Sequence, residues 1–332
     1  MPENRFDVLT IGNAIVDVFA RTEDDFLVRE GLSKGSMTLT SEERAEDLYA
    51  KMSQAIEISG GSAANTIVGV ASFGGRGAYF GKVKDDEAGR VFTRDLRAQD
   101  VHYETPPLTA GPSTAKSFIF ITPDGERTMN THLGATHHLS QSDIDRKVVE
   151  DAAITYMEGY LWDPQDAKDA FLKAAGIAHG AGRRVAITLS DPFCVDRYRS
   201  EFLDLMRKRV VDTLFANEFE LRSLYETSDL STAIDLARKD VRLAVVTRSE
   251  KGAIAIEGDE ETSVPAVPVG RVVDTTGAGD LFASGFLFGL ARGMPNLKSL
   301  KLGALAAAEV IQHVGARPEA SLQSLAQENG LL

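Results

Sequence analysis

Apolar positions along the chain come in two rhythms. Short runs rich in Val, Ile, Leu and Ala cover Asp7–Gly12, Ala78–Val83, Ala153–Gly159, Val185–Leu189, Thr213–Ala216 and Leu243–Thr247. Between them lie longer stretches of helical pattern: Glu87–Ala98, Gln165–His179, Glu218–Tyr225 and Ser231–Arg238. Apolar strands separated by amphipathic helices predict an α/β fold, a mainly parallel sheet covered by helices on both faces. Such a sheet takes its ligands beyond the carboxyl ends of its strands.

Two segments break the alternation. Val16–Arg21 and Ser36–Leu39 read as strands with no long helix between them. Ser117–Thr122 and Arg127–Thr131 flank the turn Pro123–Asp124–Gly125–Glu126, which predicts a hairpin. Together these pieces predict a small β-sheet lid of residues 13–40 and 113–133. The large α/β domain beneath it would then comprise residues 1–12, 41–112 and 134–332. No internal repeat, low-complexity tract or flexible interdomain linker is visible in the sequence.

Composition narrows the class. At 332 residues, 43% hydrophobic and 26% charged, the chain can bury a sizeable core, and its length suits one large domain with an appendage. Asp and Glu outnumber Lys and Arg by 49 to 36, a formal charge of -13. That surface repels nucleic acid and anionic lipid, so neither is expected as a partner. Cys194 is the single cysteine, which precludes an intrachain disulfide and suits a reducing compartment. The first residues, Met1 to Val8, lack the basic segment and apolar core of a signal peptide. No apolar run approaches the ~20 residues that span a bilayer. A cytoplasmic protein is expected, with its oligomeric state left open.

Candidate chemistry concentrates in Val273–Asp274–Thr275–Thr276–Gly277–Ala278–Gly279–Asp280, which leads into an almost wholly apolar helical run. Small residues at a helix start leave backbone N–H groups free and let a ligand approach closely. With the helix dipole behind them, those donors suit a phosphate or the charge that develops as a phosphoryl group moves. Asp280 falls in the first turn, where a carboxylate can take the proton of an attacking hydroxyl. Taken alone, the same residues serve equally well as a turn with a capping aspartate.

The segment does not stand alone. It resembles the D-T-x-G-A-G-D signature of the ribokinase-like (PfkB) family of carbohydrate and nucleoside kinases, with every fixed position filled. Gly60–Gly61–Ser62–Ala63–Ala64–Asn65–Thr66, continuing to Phe73–Gly74–Gly75, resembles that family's N-terminal signature. Gly12–Asn13–Ala14–Ile15–Val16–Asp17 resembles its opening strand motif, and Asn217–Glu218–Phe219–Glu220 its N-x-x-E. The resemblance implies a ribokinase-like fold with a β-sheet lid and ATP-dependent phosphorylation of a substrate hydroxyl. It implies Asp280 as general base, Gly277, Ala278 and Gly279 as anion hole, and Asn13, Asp17, Gly61, Ser62 and Asn65 around the acceptor's hydroxyls. A carboxylate such as Asp17 suits a cis-diol because it accepts paired hydrogen bonds. Asn217 and Glu220 would organise the phosphates and Mg²⁺, through water, since Mg²⁺ keeps much of its hydration shell. Arg127, just past the hairpin turn, matches an arginine that reaches the transferring phosphate when the lid closes. Plainer readings stand beside these: a solvated strand residue for Asp17, a helix cap for Asn65, surface charges for Glu220 and Arg127.

In Thr247–Arg248–Ser249–Glu250–Lys251–Gly252, Thr247 and Gly252 are the expected ATP contacts, and Ser249 replaces the glycine of many relatives. Val310, His313 and Gly315 lie where some relatives hold a monovalent cation through backbone carbonyls, and with Asp274 and Thr276 they make a candidate K⁺ site. The six histidines form no metal-binding pattern, and Cys194 reads as structural. For the acceptor, Gly12–Asp17 and Thr188–Leu189–Ser190–Asp191–Pro192–Phe193 resemble adenosine kinases more than sugar kinases. Glu158–Gly159–Tyr160–Leu161 falls where adenosine kinases carry A-G-F-F, a resemblance that implies Tyr160 as a base-stacking residue and Leu133 on the lid as an apolar contact; an ordinary aromatic at a strand end is the plainer reading of Tyr160. Ser62–Ala63–Ala64–Asn65 and Thr276 depart from the eukaryotic adenosine-kinase pattern. The expected reaction phosphorylates the 5′-hydroxyl of adenosine to give AMP. A ribokinase- or fructokinase-like sugar kinase is the alternative, and a catalytically silent nucleotide- or sugar-binding regulator the weaker one. An NAD-binding Rossmann enzyme fits less, because no G-x-G-x-x-G follows the first strand.

Overall fold

The computed structural model describes residues 5–332. Its strands, in chain order, begin with β1 (Phe6–Ile11), β2 (Ile15–Arg21), β3 (Met37–Leu39), β4 (Ile56–Gly60), β5 (Gly77–Phe80) and β6 (Ala115–Ile121). They continue with β7 (Arg127–His132), β8 (Ala152–Glu158), β9 (Arg184–Thr188), β10 (Thr213–Asn217), β11 (Leu243–Thr247), β12 (Ala253–Glu257) and β13 (Glu260–Val264). Eight of them form one sheet in the order β13-β12-β11-β10-β9-β8-β1-β5. From β5 to β11 every pairing is parallel, and β12 and β13 add an antiparallel hairpin at one edge.

Alternation within each strand divides the core into two layers. On β10, Leu214 and Ala216 join the apolar cluster on one face and Phe215 the cluster on the other. The first cluster takes in Phe171, Phe202 and Leu221 from the helices Gln165–Gly180, Pro192–Arg207 and Glu218–Leu224. The second takes in Ile67, Phe286 and Leu300 from Ser62–Ser72, Ala278–Ala291 and Asn296–Val310. A sheet buried on both faces explains why β1 reads FDVLTI with all six residues buried. No helix among the described residues is long and apolar enough to cross a membrane.

The second sheet has five strands in the order β3-β7-β6-β2-β4. Val16, Val18 and Phe118 point to the face covered by Leu27 and Leu48 of the helices Asp24–Glu30 and Glu42–Lys51. Register places Asp17 opposite Ser117 and Ile58, and Phe19 opposite Ile119 and Ile56, on the other face. One assignment needs correction. β4 lies within residues 41–112, which the sequence placed in the large domain, yet it pairs antiparallel with β2 in the small sheet. Only five residues long and ending in a glycine, it is hidden from pattern reading by the glycine-rich motif that follows it.

Candidate active site

The site grows from one helix start. Gly277 caps the helix Ala278–Ala291 with φ 78°, a left-handed conformation, and a side chain there would lie 2.7 Å from Ala316. Only glycine satisfies both demands. A Cβ on Gly279 would meet nothing within 4 Å. Asp280 follows in the first turn, half-buried, and each of its carboxylate oxygens holds one donor. Ser62 Oγ donates to Oδ1 at 2.6 Å and Asn65 Nδ2 to Oδ2 at 3.0 Å. Burial pushes the Asp280 carboxyl up, the Ser62 and Asn65 bonds pull it back, and no basic side chain contributes. Ser62 and Asn65, expected around the acceptor, are therefore the two residues that orient Asp280.

The helix Ser62–Ser72 is delivered to this point by Gly61, whose φ of 94° brings its α-carbon against the Asn13 carbonyl. Behind it stands Glu158, 1% exposed at the end of β8. Glu158 accepts from Asn13 Nδ2 at 2.7 Å, Asn13 N at 3.3 Å and Ala63 N at 2.9 Å. Burial pushes its carboxyl to about 7 despite those bonds. Asn13 Oδ1 accepts from Thr136 Oγ1 at 3.1 Å, so Asn13 is engaged at both ends and braces the loop after β1. Asp17 faces the site from β2, and burial lifts its carboxyl to about 7 against the pull of Arg317 and Arg127. Neither Glu158 nor Arg317 was singled out from sequence. For Glu158 the signal was present, a lone acid closing the apolar strand AAITYME.

An ion pair ties the small sheet to the segment that precedes Gly277. Arg127, at the start of β7, sets Nη2 2.7 Å from Asp274 Oδ2, with both side chains largely buried at 12% and 6% exposure. Its Nη1 lies 3.4 Å from Thr276 Oγ1, and its guanidinium lies over the Phe19 ring. Asp274 also accepts from Thr276 N at 3.1 Å, Thr276 Oγ1 at 2.8 Å and Gly315 N at 2.9 Å. Three members of the candidate K⁺ group, Asp274, Thr276 and Gly315, thus converge, but on a carboxylate already neutralised by arginine. The side chains of the other two point elsewhere: Val310 sits in an apolar cluster, and His313 bonds Glu309 at 3.3 Å.

On the other side of Asp280, Asn217 and Glu220 form a reciprocal cap on the helix Glu218–Leu224. Asn217 Oδ1 accepts from Phe219 N and Glu220 N, both at 2.8 Å, while its own N and Nδ2 donate to Glu220 at 2.9 and 2.6 Å. Burial lifts the Glu220 carboxyl to about 7, with Asp191 adding to the rise. With both oxygens spoken for, Glu220 can meet Mg²⁺ through water. No group of three or more His, Cys, Asp or Glu among the described residues is arranged to hold a metal by itself. Ser249 takes φ 51°, the conformation for which relatives use glycine, and Gly252 closes the loop at φ 85°.

A cleft of ≈ 320 Å³ joins these groups, lined by Ser62, Tyr160, Asn217, Glu220, Thr247 and Asp280 among others. Tyr160 is 39% exposed there, its N–H donating to Ser190 Oγ at 3.0 Å. Leu133 is half-buried where the chain leaves the small sheet and is not part of that lining. Cys194 is buried, its thiol donating to the Gly159 carbonyl and pushed up to about 12 chiefly by burial.

Comparison with known proteins agrees with this arrangement. The family model described as "pfkB family carbohydrate kinase" matches residues 31–322. A probable sugar kinase from Rhizobium etli CFN 42 superposes with a TM-score of 0.93 at 54% identity, covering 99% of this chain and 100% of that one. Adenosine kinase from Sinorhizobium meliloti gives 0.92 at 55% identity, covering 98% and 99%. Among curated proteins, adenosine kinase of Saccharomyces cerevisiae is 27% identical over 93% of this chain and 95% of its own length. Probable fructokinase-7 of Arabidopsis thaliana is 30% identical over 73% of each. Matches of this extent, on a chain that already carries the aspartate, the glycine turn and the second sheet, make it a member of the pfkB family of carbohydrate kinases, phosphotransferases that act on hydroxyl groups.

Proposed function

We propose that this kinase transfers the γ-phosphoryl group of ATP to the 5′-hydroxyl of adenosine, giving AMP and ADP. The observation that carries the reaction is the setting of Asp280. It is a carboxylate with no cation beside it, held by Ser62 and Asn65, next to a glycine-capped helix start. Asp280 takes the acceptor's proton, the freed oxygen attacks the γ-phosphorus, and the bond to the bridging oxygen of ADP breaks. The N–H groups of Gly277, Ala278 and Gly279 receive the charge that gathers on the moving phosphoryl group. Mg²⁺ bound with the nucleotide supplies charge neutralisation on the phosphates. Asn217 and Glu220 would hold its water, and Thr247 and Gly252 would border the nucleotide. Gly61 lets the acceptor loop close tightly, and Asp17 accepts the ribose hydroxyls.

Two features support adenosine. Tyr160 presents an aromatic ring to the cleft, and a 55% identical structure carries that activity in its description. A sugar acceptor is the second reading. It is favoured by the polar groups around Asp280, by the absence of Leu133 from the cleft lining, and by the sugar-kinase relatives. Both readings share the base. Asp280→Asn should therefore lower kcat by ~10²-fold or more while ATP still binds, as read by steady-state kinetics and nucleotide titration. Near-normal kcat in that variant would remove Asp280 from the mechanism.

A further inference from the structure

Arg317 lies on the loop after the helix Asn296–Val310, and that loop is pinned on three sides. Gly315 N donates to Asp274 at 2.9 Å, Ala316 packs against Gly277, and Glu319 N and Ala320 N both donate to Glu309 Oε1 at 2.9 Å. Pro318 follows Arg317 and restricts its backbone further. The guanidinium is thus presented from a fixed base into the acceptor side of the site. Its Nε lies 3.5 Å from Asn65 Oδ1, the same Asn65 whose amide donates to Asp280. An arginine offers only donors and a carboxylate only acceptors, so together they fix which way the Asn65 amide points.

A second edge of the guanidinium is left over. Nη2 is buried and has no hydrogen-bond partner among the described residues. A buried unpaired donor is costly, which makes it a marker for a ligand. Asp17, on the same acceptor side, lies within reach of that charge: its carboxyl is lifted by burial and drawn down first by Arg317 and then by Arg127, with Asp280 opposing. Arg317 and Asp17 feel each other's charge without forming an ion pair. A hydroxyl suits a place between a guanidinium and a carboxylate, because it can accept from the one and donate to the other.

We propose that Arg317 is an acceptor-binding residue, whose Nη2 donates to a ring hydroxyl of the substrate while that hydroxyl donates a hydrogen bond to Asp17. The inference rests on the phosphoryl-acceptor reading above and assigns the selectivity of that site for a hydroxylated ring. Its test compares wild type, Arg317→Gln and Arg317→Lys on adenosine, 2′-deoxyadenosine, 3′-deoxyadenosine and fructose, with thermal melting run alongside. Arg317→Gln should raise the acceptor KM roughly 10- to 100-fold, the range for a hydrogen bond to a charged group, while kcat and the KM for ATP move less than about threefold. Preference for adenosine over one of the two deoxynucleosides should shrink in the same variant, and lysine should recover part of both losses. An unchanged acceptor KM with intact discrimination overturns the inference. So does a parallel loss in both substrates' KM with a lowered Tm, which marks a purely structural role. Wild type that consumes ATP with none of these acceptors overturns the acceptor reading itself, and this inference with it.

Discussion

Asp17 shows how the site sets function against stability at the level of one side chain. Its carboxyl is raised from 3.8 to about 7, burial outweighing two arginines. Because the folded form holds the proton more tightly than the unfolded form, this group costs nothing below about 3.8, costs progressively more as pH rises, and levels off above about 7. Asp17→Asn removes that cost. The variant should out-melt wild type by a margin that widens from pH 4 towards pH 8, on the order of 1–3 kcal/mol at the upper end. The same change should weaken acceptor binding. A pH series of denaturation curves checks the first part, and a pH-independent difference would contradict it. Residue-level reading of the sequence singled out Asp17, Asp280, Ser62 and Asn65 through their motifs. The hydrogen bonds of Ser62 and Asn65 to Asp280 were not legible there, because a motif names residues without saying what they touch. Arg317 lay beyond it, since the chain brings that loop to Asn65 across 252 positions.

At the level of elements, six of the large-sheet strands were visible as apolar runs because each is buried on both faces. The hairpin β12–β13 was not. Glu260 and Glu261 on its outer strand are exposed, a charged edge that protects the sheet from pairing further but blurs the apolar signal. The hairpin β6–β7 was legible from its turn, and it carries the Arg127 contact with Asp274. That contact ties the small sheet to the segment preceding the glycine turn. We infer that on phosphate arrival Arg127 serves the transferring group as the second sheet closes. Arg127→Ala should then depress kcat about tenfold or more with a smaller change in adenosine Kd, and Arg127→Lys should restore only part, lacking the planar fork. A kcat within about twofold of wild type in both variants would leave Arg127 as a structural tie alone.

For the molecule as a whole, the architecture explains why the groups meet where they do. The parallel strands end together, so Glu158 of β8, Asn217 of β10 and Thr247 of β11 stand at one rim, and two helix starts bring Ser62 and Asp280 to the same place. The second sheet brings Asp17 and Arg127 over that rim. Phosphoryl transfer to a hydroxyl follows from this meeting; the identity of the acceptor follows from what surrounds it, which motifs alone do not specify. The most direct measurement supplies ATP and Mg²⁺ to the wild-type protein with adenosine, inosine, ribose or fructose in parallel, following ADP formation and the phosphorylated product. The account predicts acceptor-dependent ADP release with adenosine giving the highest kcat/KM and AMP as product. Equal or better turnover of a free sugar would contradict the adenosine assignment, and no acceptor-dependent turnover with any of the four would contradict the proposed reaction.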